Sequence, residues 1–128
     1  MDWVLYASVS DEVIEQVRKA LEPSFELASF RVHRTISGLS ESLHPPVKDV
    51  RAVVLLVGKR EDILELIGVR HLFRHVPVVL VLPDTDDGTI ALAHRLRPRY
   101  LTYIDAHFVG LYPVLERLFE RHEERRAV

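Results

Sequence analysis

Three carboxylates crowd the run Asp84-Thr85-Asp86-Asp87-Gly88. Closely spaced carboxylate oxygens are the hard ligands that a calcium loop needs. Here the glycine comes one place early and no Glu stands at the twelfth position, so the run fits a turn and helix cap better. His71 and His75 stand four apart, a spacing that lets two imidazoles share a metal. No HExxH pattern surrounds them, only His94 offers itself as a further ligand, and a solvated helix face is the simpler reading; no metal site is expected. Gly58-Lys59-Arg60 ends an apolar run and opens a helical pattern. Backbone N–H groups and two cations at such a place could hold an anion such as phosphate. Against this, Glu61 and Asp62 follow at once and balance the charge, and neither a Walker nor a GxGxxG pattern is present. Ser8 and Ser10 lack a GxSxG elbow and an identifiable base, which leaves helix capping as their role. As a Ser/Thr-rich loop for a flavin phosphate, Ala7-Ser8-Val9-Ser10 is a faint version at best, and no cofactor is expected.

Composition narrows the remaining classes. The chain has 128 residues, 48% hydrophobic and 28% charged, enough for one domain with one core. A formal net charge of −2 argues against a general nucleic-acid binder, which would carry a basic excess. No cysteine is present, so disulfides, thiolate catalysis and cysteine-held zinc are excluded. The opening Met1-Asp2-Trp3 has no basic stretch, the first apolar run is too short for a signal peptide, and no run approaches a membrane span. A cytoplasmic location is the expectation, with no membrane contact.

The elements that would position these residues follow from the apolar pattern. Residues 3–7, 52–57 and 76–82 are short runs rich in Val and Leu that do not alternate with polar residues. That is the mark of strands buried on both faces of a parallel sheet. Residues 25–32 form a weaker run, interrupted by Glu26 and Ser29, and 100–104 a short run rich in aromatic and β-branched residues. Helical patterns lie between and after them. Val13, Ile14, Val17 and Leu21 share one face of residues 11–21, with Ser8 and Asp11 at capping-box spacing and Pro23 beyond. Ile36, Leu39 and Leu43 suggest a short helix; residues 61–73, 89–96 and 108–121 suggest three more. Strand and helix thus alternate five times, which predicts an α/β, flavodoxin-like (βα)5 fold with strand order 2-1-3-4-5. Residues 1–123 would form the domain and 124–128 a polar tail.

Over nearly its whole length this pattern resembles the response-regulator receiver family. The resemblance rests on the five β-α units, on Val-Pro-Val-Val-Leu-Val at 76–81 as a fourth strand, and on Arg-Pro-Arg-Tyr-Leu-Thr at 97–102, where receivers often write Ala-Arg-Asp-Tyr-Leu-Thr-Lys-Pro. It implies a site at the carboxyl ends of the strands. A phosphorylatable receiver has an acidic pair after strand 1 for Mg²⁺, an acceptor Asp ending strand 3, Thr or Ser after strand 4 and Lys after strand 5. Here those places read Ala7-Ser8, Val57-Gly58, Leu82-Pro83 and Tyr103-Ile104. All four have changed, and Lys59 and Arg60 would repel a divalent cation. The chain resembles a pseudo-receiver, a scaffold without the phosphotransfer chemistry and not an enzyme.

Two expectations and one alternative follow. Tyr103 would plug the vacant pocket formed by Ala7, Ser8, Val57, Gly58 and Leu82. The domain would act through a protein partner or as a homodimer, using the face made by the fourth helix, fifth strand and fifth helix. Ile90 and Leu92 lie about 200° apart on a helix, and Val109, Tyr112 and Val114 widen the apolar arc of the last helix. The alternative is a small-ligand or anion sensor at Lys59 and Arg60.

Overall fold

The computed structural model describes residues 2–21, 30–43 and 50–103. Ten elements follow in order: β1 (Asp2–Ala7), α1 (Asp11–Leu21), β2 (Phe30–His33), α2 (Ile36–Leu43), β3 (Val50–Leu56), α3 (Arg60–Gly68), a 3₁₀ turn (Arg70–Phe73), β4 (Val78–Leu82), α4 (Asp87–His94) and β5 (Tyr100–Tyr103). The five strands form one parallel sheet in the order β2-β1-β3-β4-β5, the expected flavodoxin-like α/β fold. The expected helix over 108–121 and the tail lie outside the described residues.

From Trp3, Ala52 and Val78 onward, each central strand is apolar at every position because both sheet faces are covered. Odd and even positions separate cleanly. Trp3, Leu5, Ala7, Ala52, Val54, Leu56, Val79 and Val81 pack together on one face, with Val17 of α1 buried against them. Val4, Tyr6, Val53, Leu55, Val57, Val78, Leu80 and Leu82 pack on the other, under Leu39 and Leu43 of α2, Ile63 and Leu66 of α3, and Ala93 of α4. Burying one such side chain contributes about 1.5–3 kcal/mol, so these three central strands hold the fold together.

Several boundaries differ from the expectation, each for a local reason. The helix expected over 61–73 ends at Gly68, and the chain tightens into the 3₁₀ turn. β4 starts at Val78, since Pro77 has no N–H for the ladder; its carbonyl instead accepts from the Val53 N–H at 2.9 Å. α4 begins at Asp87, inside the acidic run. Among the described residues no helix is long and apolar enough to cross a membrane.

Candidate functional site

The carboxyl ends of β1 and β3 meet where the resemblance places a phosphorylation site. Parallel pairing carries the chain directly into both loops: the Ser8 N–H bonds the Leu56 carbonyl at 3.0 Å and the Val57 N–H bonds the Val81 carbonyl at 3.0 Å. The Ser8 hydroxyl then accepts from the Gly58 N–H at 3.0 Å and points toward the Leu56 carbonyl at 3.5 Å. The loops approach so closely that a Cβ on Gly58 would meet the Ser8 carbonyl oxygen at 2.7 Å. Only glycine fits there. Ser8 thus clasps two strand ends and is not the capping-box serine of the sequence reading. That role falls to Ser10, whose hydroxyl accepts from the Val13 N–H at 3.4 Å. Asp11 pairs instead with Arg34, whose guanidinium also donates to the Val9 carbonyl at 2.6 Å.

The other expected pocket residues do not converge. Ala7 belongs to the face under α1, whereas Val57 and Leu82 belong to the opposite face. Tyr103 pairs with Leu82 on the edge strand and is 52% exposed. It stands three strand spacings, about 14 Å, from Ala7 along the sheet. A half-exposed ring on the edge does not plug the space over Ala7, Val57 and Gly58, so that expectation is corrected. The reason is topological: β4 and its buried Leu82 intervene between β3 and β5.

Lys59 and Arg60 do not form a free cationic pair either. Lys59 is exposed at the N-terminus of α3. Arg60 reaches across to the start of α4, where its Nε donates to the Thr89 hydroxyl at 3.1 Å and its terminal nitrogen lies 3.6 Å from the Asp86 carboxylate. The guanidinium lies flat over Gly88, 3.1–3.3 Å from where a Cβ would stand. Thr89 is fully buried, and its hydroxyl donates a hydrogen bond to the Asp84 carboxylate. The Asp86 N–H, at 3.0 Å, is the main cause holding the Asp84 carboxyl below the usual carboxylate range; the Thr89 hydroxyl and the Arg60 charge add to it. The acidic run is therefore a helix start locked to the next helix, in keeping with its reading as turn and cap.

One buried polar pair escaped the sequence reading. Tyr6 and Asp62 are both buried between β1 and the first turn of α3. Burial pushes the Tyr6 phenol up, and the charges of Asp62 and Glu65 push it further. Asp62 gains from the α3 N-terminal dipole. Its place beside Glu61 in the first turn, just after Lys59 and Arg60, gave it the look of an exposed first-turn charge.

The opposite end of the sheet is different. Arg70, His71, Arg74 and His75 from the α3–β4 connection face Arg95, Arg97 and Arg99 from the α4–β5 connection across an open cleft of about 1010 Å³. Ile67, Phe73, Val76, Pro77 and Leu96 supply its apolar lining, and among the described residues no carboxylate lines it. His71 and His75 sit on the 3₁₀ turn and just beyond it, not on one α-helical face. Among the described residues no group of three His, Asp or Glu side chains stands close enough to share a metal. The sequence did hold a signal for this cleft. Arg-His-Leu-Phe-Arg-His and Arg-Leu-Arg-Pro-Arg each follow a helix and precede a strand of neighbouring β-α units, so both must emerge at the amino end of the sheet.

Ile90 and Leu92 of α4 are both half-buried and packed against the core, so neither faces the sheet fully and neither is stranded in solvent. Val109, Tyr112 and Val114 lie outside the described residues. The chain matches no protein-family model, no curated protein and no solved structure.

Proposed function

We propose that this chain is a receiver-like regulatory domain that acts without phosphotransfer, in the cytoplasm, through contact with a protein partner or a second copy of itself. The clasp of Ser8 and Gly58 carries this reading. Where a receiver would keep an acceptor carboxylate and a metal, backbone touches backbone. No side chain larger than hydrogen fits at Gly58, and the neighbouring Ala7, Ser8 and Val57 offer no carboxylate. The scaffold keeps the doubly wound sheet while the chemistry of its carboxyl end is gone. A contact along the β5 side is supported by the edge position of that strand and by the half-exposed Tyr103 at its end.

Two measurements test the reading. Incubation with acetyl phosphate and Mg²⁺ leaves the mass unchanged, and beryllofluoride leaves the melting temperature unchanged. A stoichiometric phospho-adduct labile to hydroxylamine overturns the phosphotransfer-independent reading. Sedimentation of the parent and of Tyr103→Glu shows loss of self-association, or a pull-down shows loss of the partner. A parent that is monomeric at high concentration and captures nothing through this edge overturns the contact.

A further inference from the structure

We infer that the arginine cleft at the amino end of the sheet is a binding site for a compact ligand carrying two or more adjacent phosphate groups. Three independent observations point there. First, among the described residues the cleft gathers five of the chain's 17 Lys and Arg residues and no carboxylate, in a molecule whose net charge is −2. Like charges held this close repel one another unless an anion is present.

Second, these guanidinium groups are unengaged among the described residues. Elsewhere arginines find partners: Arg34 holds Asp11 and Val9, and Arg60 holds Thr89 and Asp86. None of Arg70, Arg74, Arg95, Arg97 and Arg99 has a side-chain hydrogen bond or ion pair among the described residues. A planar fork of donors suits phosphate oxygens in bidentate fashion.

Third, Arg97 is the one non-glycine described residue with a positive φ, at 50°. It stands two residues past Arg95, the C-cap of α4, in a left-handed conformation that favours glycine because a Cβ is strained there. Backbone strain of this kind clusters at functional sites, which directs attention to what the Arg97 side chain reaches.

The shape selects the ligand class. The cations stand on two walls, Arg70 and Arg74 on one and Arg95, Arg97 and Arg99 on the other. One phosphate cannot engage both walls as well as a di- or triphosphate can. The cleft, about 1010 Å³, lies at the top of the range of roughly 300–1,000 Å³ typical of small-molecule sites. Its apolar lining and concavity favour a compact ligand over the extended track that a nucleic-acid backbone needs. This inference is independent of the phosphotransfer-free reading, since it concerns the other end of the sheet.

The test is calorimetric titration of the full chain at low salt with inorganic pyrophosphate, tripolyphosphate, sulfate and a 20-base-pair DNA duplex. Saturable one-to-one binding of tripolyphosphate, tighter than sulfate, is the expected result. Arg97→Gly and the double variant Arg95→Gln/Arg99→Gln each weaken it by about tenfold or more. Their melting temperatures stay at or above that of the parent. Arg97→Gly is the sharper of the two, because it relieves the backbone while removing the guanidinium. The inference is overturned by no saturable binding of either polyphosphate, by binding that these variants leave unchanged, or by a duplex that binds tenfold more tightly through the same arginines.

Discussion

The two ends of one sheet treat their polar groups in opposite ways. At the carboxyl end, Ser8 bonds Gly58, Arg34 bonds Val9 and Asp11, and Arg60, Thr89, Asp84 and Asp86 close a ring of mutual contacts. At the amino end, five guanidinium groups surround a cleft and engage nothing among the described residues. Ligands of open α/β sheets bind outside the carboxyl ends of the strands, because the loops and helix N-termini converge there. In this chain that end is occupied by its own side chains. A polar group already satisfied within the protein has little left to offer a ligand, whereas an unpaired cation in a concave site does. The contrast therefore relocates the place to look for binding from the top of the sheet to the bottom.

The most damaging way to break the contrast is to force open the clasp. Gly58→Ala places a methyl group 2.7 Å from a backbone oxygen of Ser8, and a backbone atom cannot rotate away as a side chain can. The loop must shift and weaken the 3.0 Å bond from Gly58 to Ser8. Overpacking of this kind costs about 1–3 kcal/mol. Urea unfolding should show a lowered midpoint with an unchanged slope. An alanine variant as stable as the parent would mean that the two loops have room between them, and the carboxyl end would again be a candidate ligand site.

A smaller effect is expected at the Arg60–Thr89–Asp84 contact. Thr89→Val keeps the shape and removes the hydroxyl that joins the guanidinium to the carboxylate. The loss is about 1–2 kcal/mol, because both partners are more exposed than Thr89 and can turn to water. The same variant changes the acid limb of stability. Asp84 has a depressed folded-state pKa, so its contribution is present above the ordinary carboxylate range and is lost as pH falls from that range through the lower folded value. Without the hydroxyl, the Asp84 value moves back up, so the fall in melting temperature still begins in that ordinary range but ends at a higher pH and spans a narrower interval. An acid profile identical in parent and variant would show that Thr89 does not hold Asp84.

Much of this was legible in the sequence, and the reasons differ by feature. The apolar runs at 52–57 and 76–82 identify buried parallel strands because a strand covered on both faces has no polar side to show. The missing carboxylates at Ala7, Ser8, Val57 and Gly58 are equally plain in the letters. The partners of Ser8, Arg60 and Tyr103 were not. Ser8 reads as a cap because Asp11 stands three residues on, while its true partner is 50 residues away and reached only through strand pairing. Arg60 likewise reads as a free cation until α3 and α4 are packed side by side. Tyr103 depends on strand order, which places Leu82 between it and the residues it was expected to cover. The arginine cleft was within reach, since two basic loops of adjacent β-α units must share an end of the sheet. It was obscured because each loop alone looks like a solvated turn.

The smallest expected stability change is also the one that separates the two ends most sharply, because its sign differs. Removing a charged group from the carboxyl end costs stability by breaking contacts. Removing charge from the amino end breaks none among the described residues. Arg95→Gln/Arg99→Gln, without ligand, should change stability by no more than about 0.5 kcal/mol, the usual span for surface substitutions. The direction should be upward, since two of five mutually repelling cations are gone. Salt gives the independent check. At 0.15 M ionic strength the screening length is about 8 Å, so repulsion across the cleft is largely screened there and strong at low salt. The parent should therefore gain more melting temperature than the variant when sodium chloride rises from low to physiological concentration. A variant that is destabilised by more than 1 kcal/mol, or that shares the parent's salt response, would mean these arginines already have partners within the chain. The two ends would then be alike, and the cleft would be one more self-satisfied surface.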